Sequence, residues 1–368
     1  MPLNMNILDS YVMMGLWEDL SPVDTFFKDR YFPTGERDIF KTKKILVEYR
    51  KGNKGMAPFM MRRADPINVS RTGFEIHDYM PVCIKQSRDL YIDQLEELGF
   101  GEAILTDRTP EQRDAALVQE DLRLLEDRIT RTEELLCAST MINNGFSVDE
   151  AAGIADDGTL ITGNTASVLY YDPIKGNDGA ITIPSADKIT KNSDWDAIVK
   201  IIRPMCRGLK RRGLPANDLL VGQDVADVLL NNTVFKDLVN KMSGIIISDP
   251  ISLELSKYDG VTLIGIVNFF GHKLNVISVD EQYEDASGTT QNYFPAKSIC
   301  VTAPGAGHLM YGAVSKMDDD GKVHTMAAKR LPDVDVHKKQ KMREIWMETY
   351  PLAAPKNYSP WVYGANAC

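Results

Sequence analysis

The sequence predicts an α+β fold, and three stretches carry that reading. Residues 109–142 form the longest uninterrupted helical signal in the chain. Residues 37–79 read as two strand-like runs about a glycine turn, with too few apolar positions to build a core of their own. From Ser193 onward, helical faces alternate with short apolar runs, which is the pattern of a compact α/β unit. The 368 residues suffice for two or three domains and a substantial core.

Residues 1–36 are an opening arm. Leu20-Ser21-Pro22 marks a turn, and Phe26-Phe27 with Tyr31-Phe32-Pro33 forms an aromatic cluster that reads either as core or as a contact docked on a neighbouring subunit. In the excursion that follows, Ile39-Phe40 and Ile45-Leu46-Val47 are strand-like, Gly52-Asn53-Lys54-Gly55 supplies the turn, and a second strand surrounds Gly73 to Ile76. A two-stranded ribbon is marginal in water, so this one must lie on the rest of the chain or on another copy. A short helix is expected from Leu90 to Leu98, ending at Gly99.

The long helix has its own start and stop signals. Thr109, Pro110 and Gln112 form an N-terminal capping box, and Asn143-Asn144-Gly145 suits a left-handed C-cap. Val118, Leu122, Leu125, Ile129 and Leu136 draw one apolar stripe, while Arg123, Asp127 and Arg131 stand four apart on another face. At a rise of 1.5 Å per residue the rod is roughly 50 Å long, and it must rest on something extended. Short strands are expected at Leu160-Ile161, Val168 to Tyr170 and Ile181 to Ile183, with turns at Asp172-Pro173 and Gly176 to Gly179.

In the α/β unit, Ala197, Ile198, Ile201, Ile202, Met205 and Leu209 fit one helical face, which Gly213 and Pro215 terminate. Asp218 to Val221 reads as a buried strand, followed by a helix opening near Asp224 and a short helical segment with Val234, Phe235, Leu238 and Val239. Further strands are expected at Val261 to Val267, Lys273 to Val279, Ser298 to Thr302 and Arg343 to Tyr350.

Chemistry-bearing motifs are scarce. The formal charge is -10 and the pI about 5.1, so no global attraction to nucleic acid is expected. Five dispersed cysteines without a C-x-x-C, an N-terminus without a secretory pattern and no apolar run of membrane-spanning length predict a reduced, soluble, cytoplasmic chain. The five histidines lack metal-ligand spacing, and Asp318-Asp319-Asp320-Gly321 would put Lys316 and Ala327 where a calcium loop needs acidic ligands. Gly305-Ala306-Gly307-His308 fails the dinucleotide fingerprint at Met310, and there is no phosphate-binding P-loop or nucleophile elbow. Lys210-Arg211-Arg212 either contacts phosphate or simply complements the dipole of its own helix, and Lys338-Lys339-Gln340-Lys341 reads as a solvated face ahead of a nucleic-acid patch. No catalytic, cofactor-binding or metal-ligating residue is assigned, and no cofactor is expected. An enzyme would need a non-local site, for which His308 and the Gly305–Gly307 turn are the starting point. A ligand-binding oligomer using the hairpin as its reader is another class.

The succession of arm, hairpin, long helix, small strand set, α/β unit and returning segment resembles the major capsid proteins of tailed bacteriophages. It is most similar to the phage lambda major capsid family, major capsid protein E, with the HK97 fold. The residues that carry the resemblance are Phe26-Phe27 through Tyr31-Phe32-Pro33 with Ile39, Ala57-Pro58-Phe59, and Arg71 with Gly73-Phe74-Glu75. Met80-Pro81-Val82-Cys83-Ile84-Lys85, Phe294-Pro295, Tyr311-Gly312 and Pro351-Leu352 complete it. The resemblance implies an arm at 1–36, an E-loop at 37–80, a P-domain at 81–192 with the spine helix, an A-domain at 193–314 and a return to the P-domain at 315–368. It further implies a structural, non-enzymatic protein that assembles in the host cytoplasm into the icosahedral shell of a virion. Pentamers and hexamers would enclose double-stranded DNA without sequence-specific contact, and no membrane is involved. Scaffold, portal and decoration proteins are the implied partners. With about 100 residues ahead of the long helix, a scaffold would be a separate chain. The expected assembly residues are Phe26 and Phe27 of the arm and Lys41, Lys43, Lys44, Gly52, Asn53 and Gly55 of the hairpin. A nanocompartment of the same fold enclosing cargo enzymes is the alternative within shell proteins.

Overall fold

The computed structural model describes residues 23, 25–49, 75–92, 110–154, 160–170, 180–184, 188–237, 255–269, 271–285, 288–317 and 321–368. The expected turn at Gly52 to Gly55, most of the helix expected at 90–98, Leu238-Val239 and Asp318 to Asp320 lie outside them. The chain enters through a short helix, α1 (Phe26–Tyr31). Strands β1 (Ile45–Tyr49) and β2 (Glu75–Tyr79) then pair antiparallel, with Ile45 opposite Tyr79 and Val47 opposite His77. Next comes β3 (Ile84–Tyr91), so Leu90 and Tyr91 end a strand instead of opening a helix. Pairing decides the matter: eight consecutive residues of β3 find partners on a late strand, and that overrides local helical spacing.

The long helix α2 (Pro110–Asn143) keeps to within a residue of its expected bounds. Asn144 at φ 55 takes the left-handed conformation expected of the stop signal, and its side-chain carbonyl accepts the Trp361 indole N–H at 2.7 Å. The helix rests on two separate cores. Val118, Leu122, Leu125 and Ile129 pack with Ile345 and Met347, whereas Leu136, Cys137, Ala138 and Met141 join the main core beside the arm aromatics. After it, β4 (Gly145–Ile154) and β5 (Leu160–Leu169) form one antiparallel ribbon. The two short strands expected at 160–170 are thus a single strand, and its partner β4 carried no strand signal. Most described side chains of this ribbon face solvent, and the period-2 apolar alternation that reveals a half-buried strand is confined to Phe146 with Val148 and Ala166 with Val168 at its base.

The α/β unit contains β6 (Ala180–Thr182), α3 (Trp195–Arg212), β7 (Asp218–Gly222), α4 (Gln223–Asn231), β8 (Val261–Asn268) and β9 (Lys273–Val279). Gly213 at φ 84 closes α3, with its N–H on the Lys210 carbonyl and the Leu214 N–H on that of Leu209. Short β10 (Gln282–Glu284) and β11 (Thr290–Asn292) pair with each other, and β12 (Ile299–Thr302) and β13 (Gly307–Tyr311) follow. Then come β14 (Val314–Met317), β15 (Val323–Met326), β16 (Leu331–His337), β17 (Met342–Thr349), β18 (Pro351–Pro355) and β19 (Val362–Ala365).

Six strands make the central sheet in the order β6-β19-β12-β7-β9-β8. Alternate residues divide between its faces. Leu219, Val221, Val276, Ile299 and Val301 pack under α3 and α4, while Leu220, Ile277 and Cys300 face the main core. Burial on both faces explains why β7 reads as a continuous apolar run. The sheet recruits residues 180–182 and 362–365, so it is not bounded by the unit expected at 193–314. The C-terminal stretch correspondingly divides three ways. β16 and β17 join β3 beneath α2, β18 pairs with β13, and β19 inserts into the central sheet.

Candidate assembly interface

What positions the outer surfaces is a set of buried charges on α2 and α1. Arg330 immediately precedes β16 and is almost wholly buried. Its Nε donates to Glu126 Oε2 at 2.8 Å, and Nη1 and Nη2 donate to the two oxygens of Glu133 at 2.5 and 2.9 Å. Nη1 also reaches Thr349 Oγ1 at 3.2 Å. Burial alone would raise the Glu133 carboxyl, but Arg330 and Lys28 overcome it and hold the group down at about 2. Lys28 Nζ donates to Glu133 Oε2 at 2.7 Å, which ties α1 to the same site.

The neighbouring Glu134 accepts the backbone N–H groups of Phe27 and Lys28 at 2.5 and 2.8 Å, capping the first turn of α1. Burial, with Glu281 adding to it, pushes this carboxyl up to about 8, against the pull of the two N–H groups. On the far flank of α1, Arg30 Nε and Tyr31 Oη both donate to Asp218 Oδ2, at 2.9 and 3.1 Å. Asn275 Nδ2 donates to the other oxygen at 2.8 Å. One short helix therefore joins the long helix to the first residue of β7 in the central sheet. Within it, Phe27 stacks on Phe294 with ring centroids 6.3 Å apart, and Phe26 meets Tyr258 edge-on at 5.6 Å.

Phe26 and Phe27 are fully buried inside their own chain. The expectation that they meet a second copy is corrected on this point: their rings have no free face, and the core reading of the aromatic cluster is the one the structure supports. Of the hairpin residues, Lys41, Lys43 and Lys44 are exposed, and Lys44 Nζ lies 2.6 Å from Asp78 Oδ2. Gly52, Asn53 and Gly55 lie outside the described residues. Sequence reasoning missed Glu126, Glu133, Glu134 and Arg330. Glutamates seven apart on the stripe face were the available signal, but no local pattern pointed to Arg330 as their partner.

Among the described residues five pairs of strands have no third strand, and three of these, β1–β2, β4–β5 and β14–β15, bear on the outer surface. Each also shows large apolar side chains to solvent. Leu46 of β1 is 60% exposed, Leu169 of β5 60%, and the directly opposed pair Met317 and Val323 of β14–β15 69% and 61%. Open edges with apolar side chains invite pairing with another chain. Among the described residues, no three His, Cys, Asp or Glu side chains are grouped to hold a metal, and no helix is long and apolar enough to cross a membrane.

The long helix thus spans two cores, and the ribbons lie at the surface without a third strand among the described residues. The family model described as phage major capsid protein E matches residues 9–366, and the chain belongs to that family. No curated protein sequence matches the chain. Among solved structures, the chain is similar to a candidate capsid protein of a prophage in E. coli CFT073, at 16% identity and TM-score 0.60 over 99% of both chains. A phage-related protein from Bordetella bronchiseptica RB50 is 10% identical with TM-score 0.51, over 98% of this chain and 97% of that one. The capsid of Ralstonia phage GP4 is 10% identical with TM-score 0.50, over 99% and 96%. The mixed helix and strand fold is that of phage capsid proteins. The chain is a phage capsid protein, a structural component of the virion.

Proposed function

We propose that this chain is the head-shell subunit of a tailed phage, with HK97-type architecture, closing an icosahedral shell of pentamers and hexamers around double-stranded DNA. The family match across residues 9–366 carries the reading. In that architecture the 37–80 hairpin is the E-loop lying over a neighbouring subunit, and 81–192 with α2 is the P-domain. Residues 193–314 with β6 and β19 are the A-domain, and β16 and β17 bring the 315–368 segment back to the P-domain. Exposed Leu46 supports a hairpin that contacts another copy, and lysines 41, 43 and 44 are exposed on the segment leading into it. Assembly by many weak, repeated contacts is the mechanism, and the role is structural, not catalytic. Assembly takes place in the host cytoplasm, with scaffold, portal and decoration proteins as partners.

Expression of the chain alone, followed by negative-stain electron microscopy and light scattering, tests the proposal. Closed shells, tubes, or rings of five and six are expected, and rings without shells identify the need for a scaffold. A monodisperse monomer or dimer at high concentration overturns it.

A further inference from the structure

The outward face of α3 concentrates positive charge on a chain whose formal charge is -10. Lys200, Arg207, Lys210 and Arg211 are exposed there, and Arg203 is half-buried between them. Spacings of three and four place Lys200, Arg203, Arg207 and Lys210 along one side of the helix, over roughly 15 Å. A surface cavity of ≈ 350 Å³ opens along this stripe, where Lys200, Arg203 and Arg207 face one carboxylate, Asp196. The positive field reaches a separate element. His272, on the turn before β9, has its pKa lowered by burial and then by Lys210, Arg207 and Arg203.

We infer that this stripe is a contact for the phosphate backbone of the enclosed duplex, made without reading its sequence. The inference rests on the shell reading above. Two features favour a polyanion over a second copy of the chain. The buried centres of interfaces between proteins are built on aromatic and apolar side chains. None of the large apolar side chains exposed on the described surface belongs to α3. Duplex DNA carries one charge per roughly 1.7 Å of axis, so a 15 Å row of cations finds a phosphate for each. An acidic shell with a few cations gathered on one helix holds DNA weakly enough to release it.

The test uses the full-length chain and a combined variant, Lys200→Gln, Arg207→Gln and Lys210→Gln, with melting curves to show that both are folded. Binding to two 30-base-pair duplexes of unrelated sequence is read by fluorescence anisotropy from 25 to 200 mM NaCl. The unaltered chain should bind both within about twofold, with log affinity falling against log salt at a slope of about -2.7 or steeper, about -0.9 for each phosphate. The variant should bind at least about tenfold more weakly at 25 mM and lose most of that slope. If it fails to fold, Arg207→Gln alone should remove about one unit of slope. No binding by the unaltered chain at 25 mM, or equal binding by the variant, overturns the inference. So does a variant that binds DNA normally but no longer forms rings, because α3 then meets another subunit. Micrographs of the same samples separate the two failures: particles that assemble without responding to the stripe leave the shell reading standing, whereas a lasting monomer sinks that reading itself.

Discussion

Arg330 holds two carboxylates, Glu126 and Glu133, that lie seven residues apart on one face of α2. Removing the guanidinium in Arg330→Ala would leave both buried charges without their shared partner. Breaking a buried pair in this way costs about 3–5 kcal/mol. Urea denaturation should show a loss of that size, and a change below about 1 kcal/mol would mean that the site relaxes around water. Glu133 and Glu134 titrate in opposite senses. Glu133 is held at about 2, below its unfolded value, so its contribution is present at neutral pH and fades as pH falls toward 2. Glu134 is raised to about 8, so its contribution is complete at low pH and is lost as pH rises through 8. It faces Glu281, itself raised to about 7 by burial and then by Asp259 and Asp29, together with Lys28 and the N–H groups of α1. The melting temperature of the unaltered chain should therefore fall as pH rises from about 4.5, the ordinary value of the carboxyl, to about 8, and Glu134→Gln should flatten that fall. An unchanged slope in the variant would remove Glu134 from the account.

At the level of elements, α2 and the ribbons behave differently toward mutation. The β1–β2 ribbon buries Ile45 and Val47 on one side and shows Leu46 on the other, as strand alternation requires. Leu46→Asp should change the stability of the single subunit by less than about 0.5 kcal/mol, since the side chain already faces water. Light scattering should nevertheless record a loss of large particles, and normal shells from this variant would exclude β1 from the contact. Legibility followed the same division. The helix α2 could be read because caps, stripe and stop all agreed within 34 residues. The β4–β5 ribbon could not, because only its base packs on the main core, through Phe146, Val148, Ala166 and Val168, and the few apolar positions there are too short a run to betray a strand. The end of β3 was misread because Leu90 repeats with helical spacing, while its partner Arg343 stands far along the chain.

For the whole molecule, one short helix fixes the relation between two bodies. α1 joins α2 through Lys28 and the Glu134 cap, and joins the central sheet through Arg30, Tyr31 and Asp218. Contacts with identical copies stabilise the folded state by mass action. Assembled particles should therefore melt above the unassembled subunit, by an amount that rises with protein concentration in differential scanning calorimetry. A melting temperature independent of concentration and assembly would mean that the inter-subunit contacts add nothing to the fold.

By itself the sequence determined the long helix, the strands that end up buried on both faces, the two-stranded excursion and the resemblance to capsid proteins. All of these depend on local periodicity, on capping residues or on short-range turn chemistry. Only the tertiary structure decided that the arm aromatics are core, that Arg330 serves Glu126 and Glu133, and that the last strand enters a sheet begun near residue 180. It also decided that the cations of α3 share one outward face and act together on His272. Each of these depends on groups that are remote in sequence, or on which side of an element meets solvent. Periodicity shows that an element has two faces, and only packing settles what each face meets.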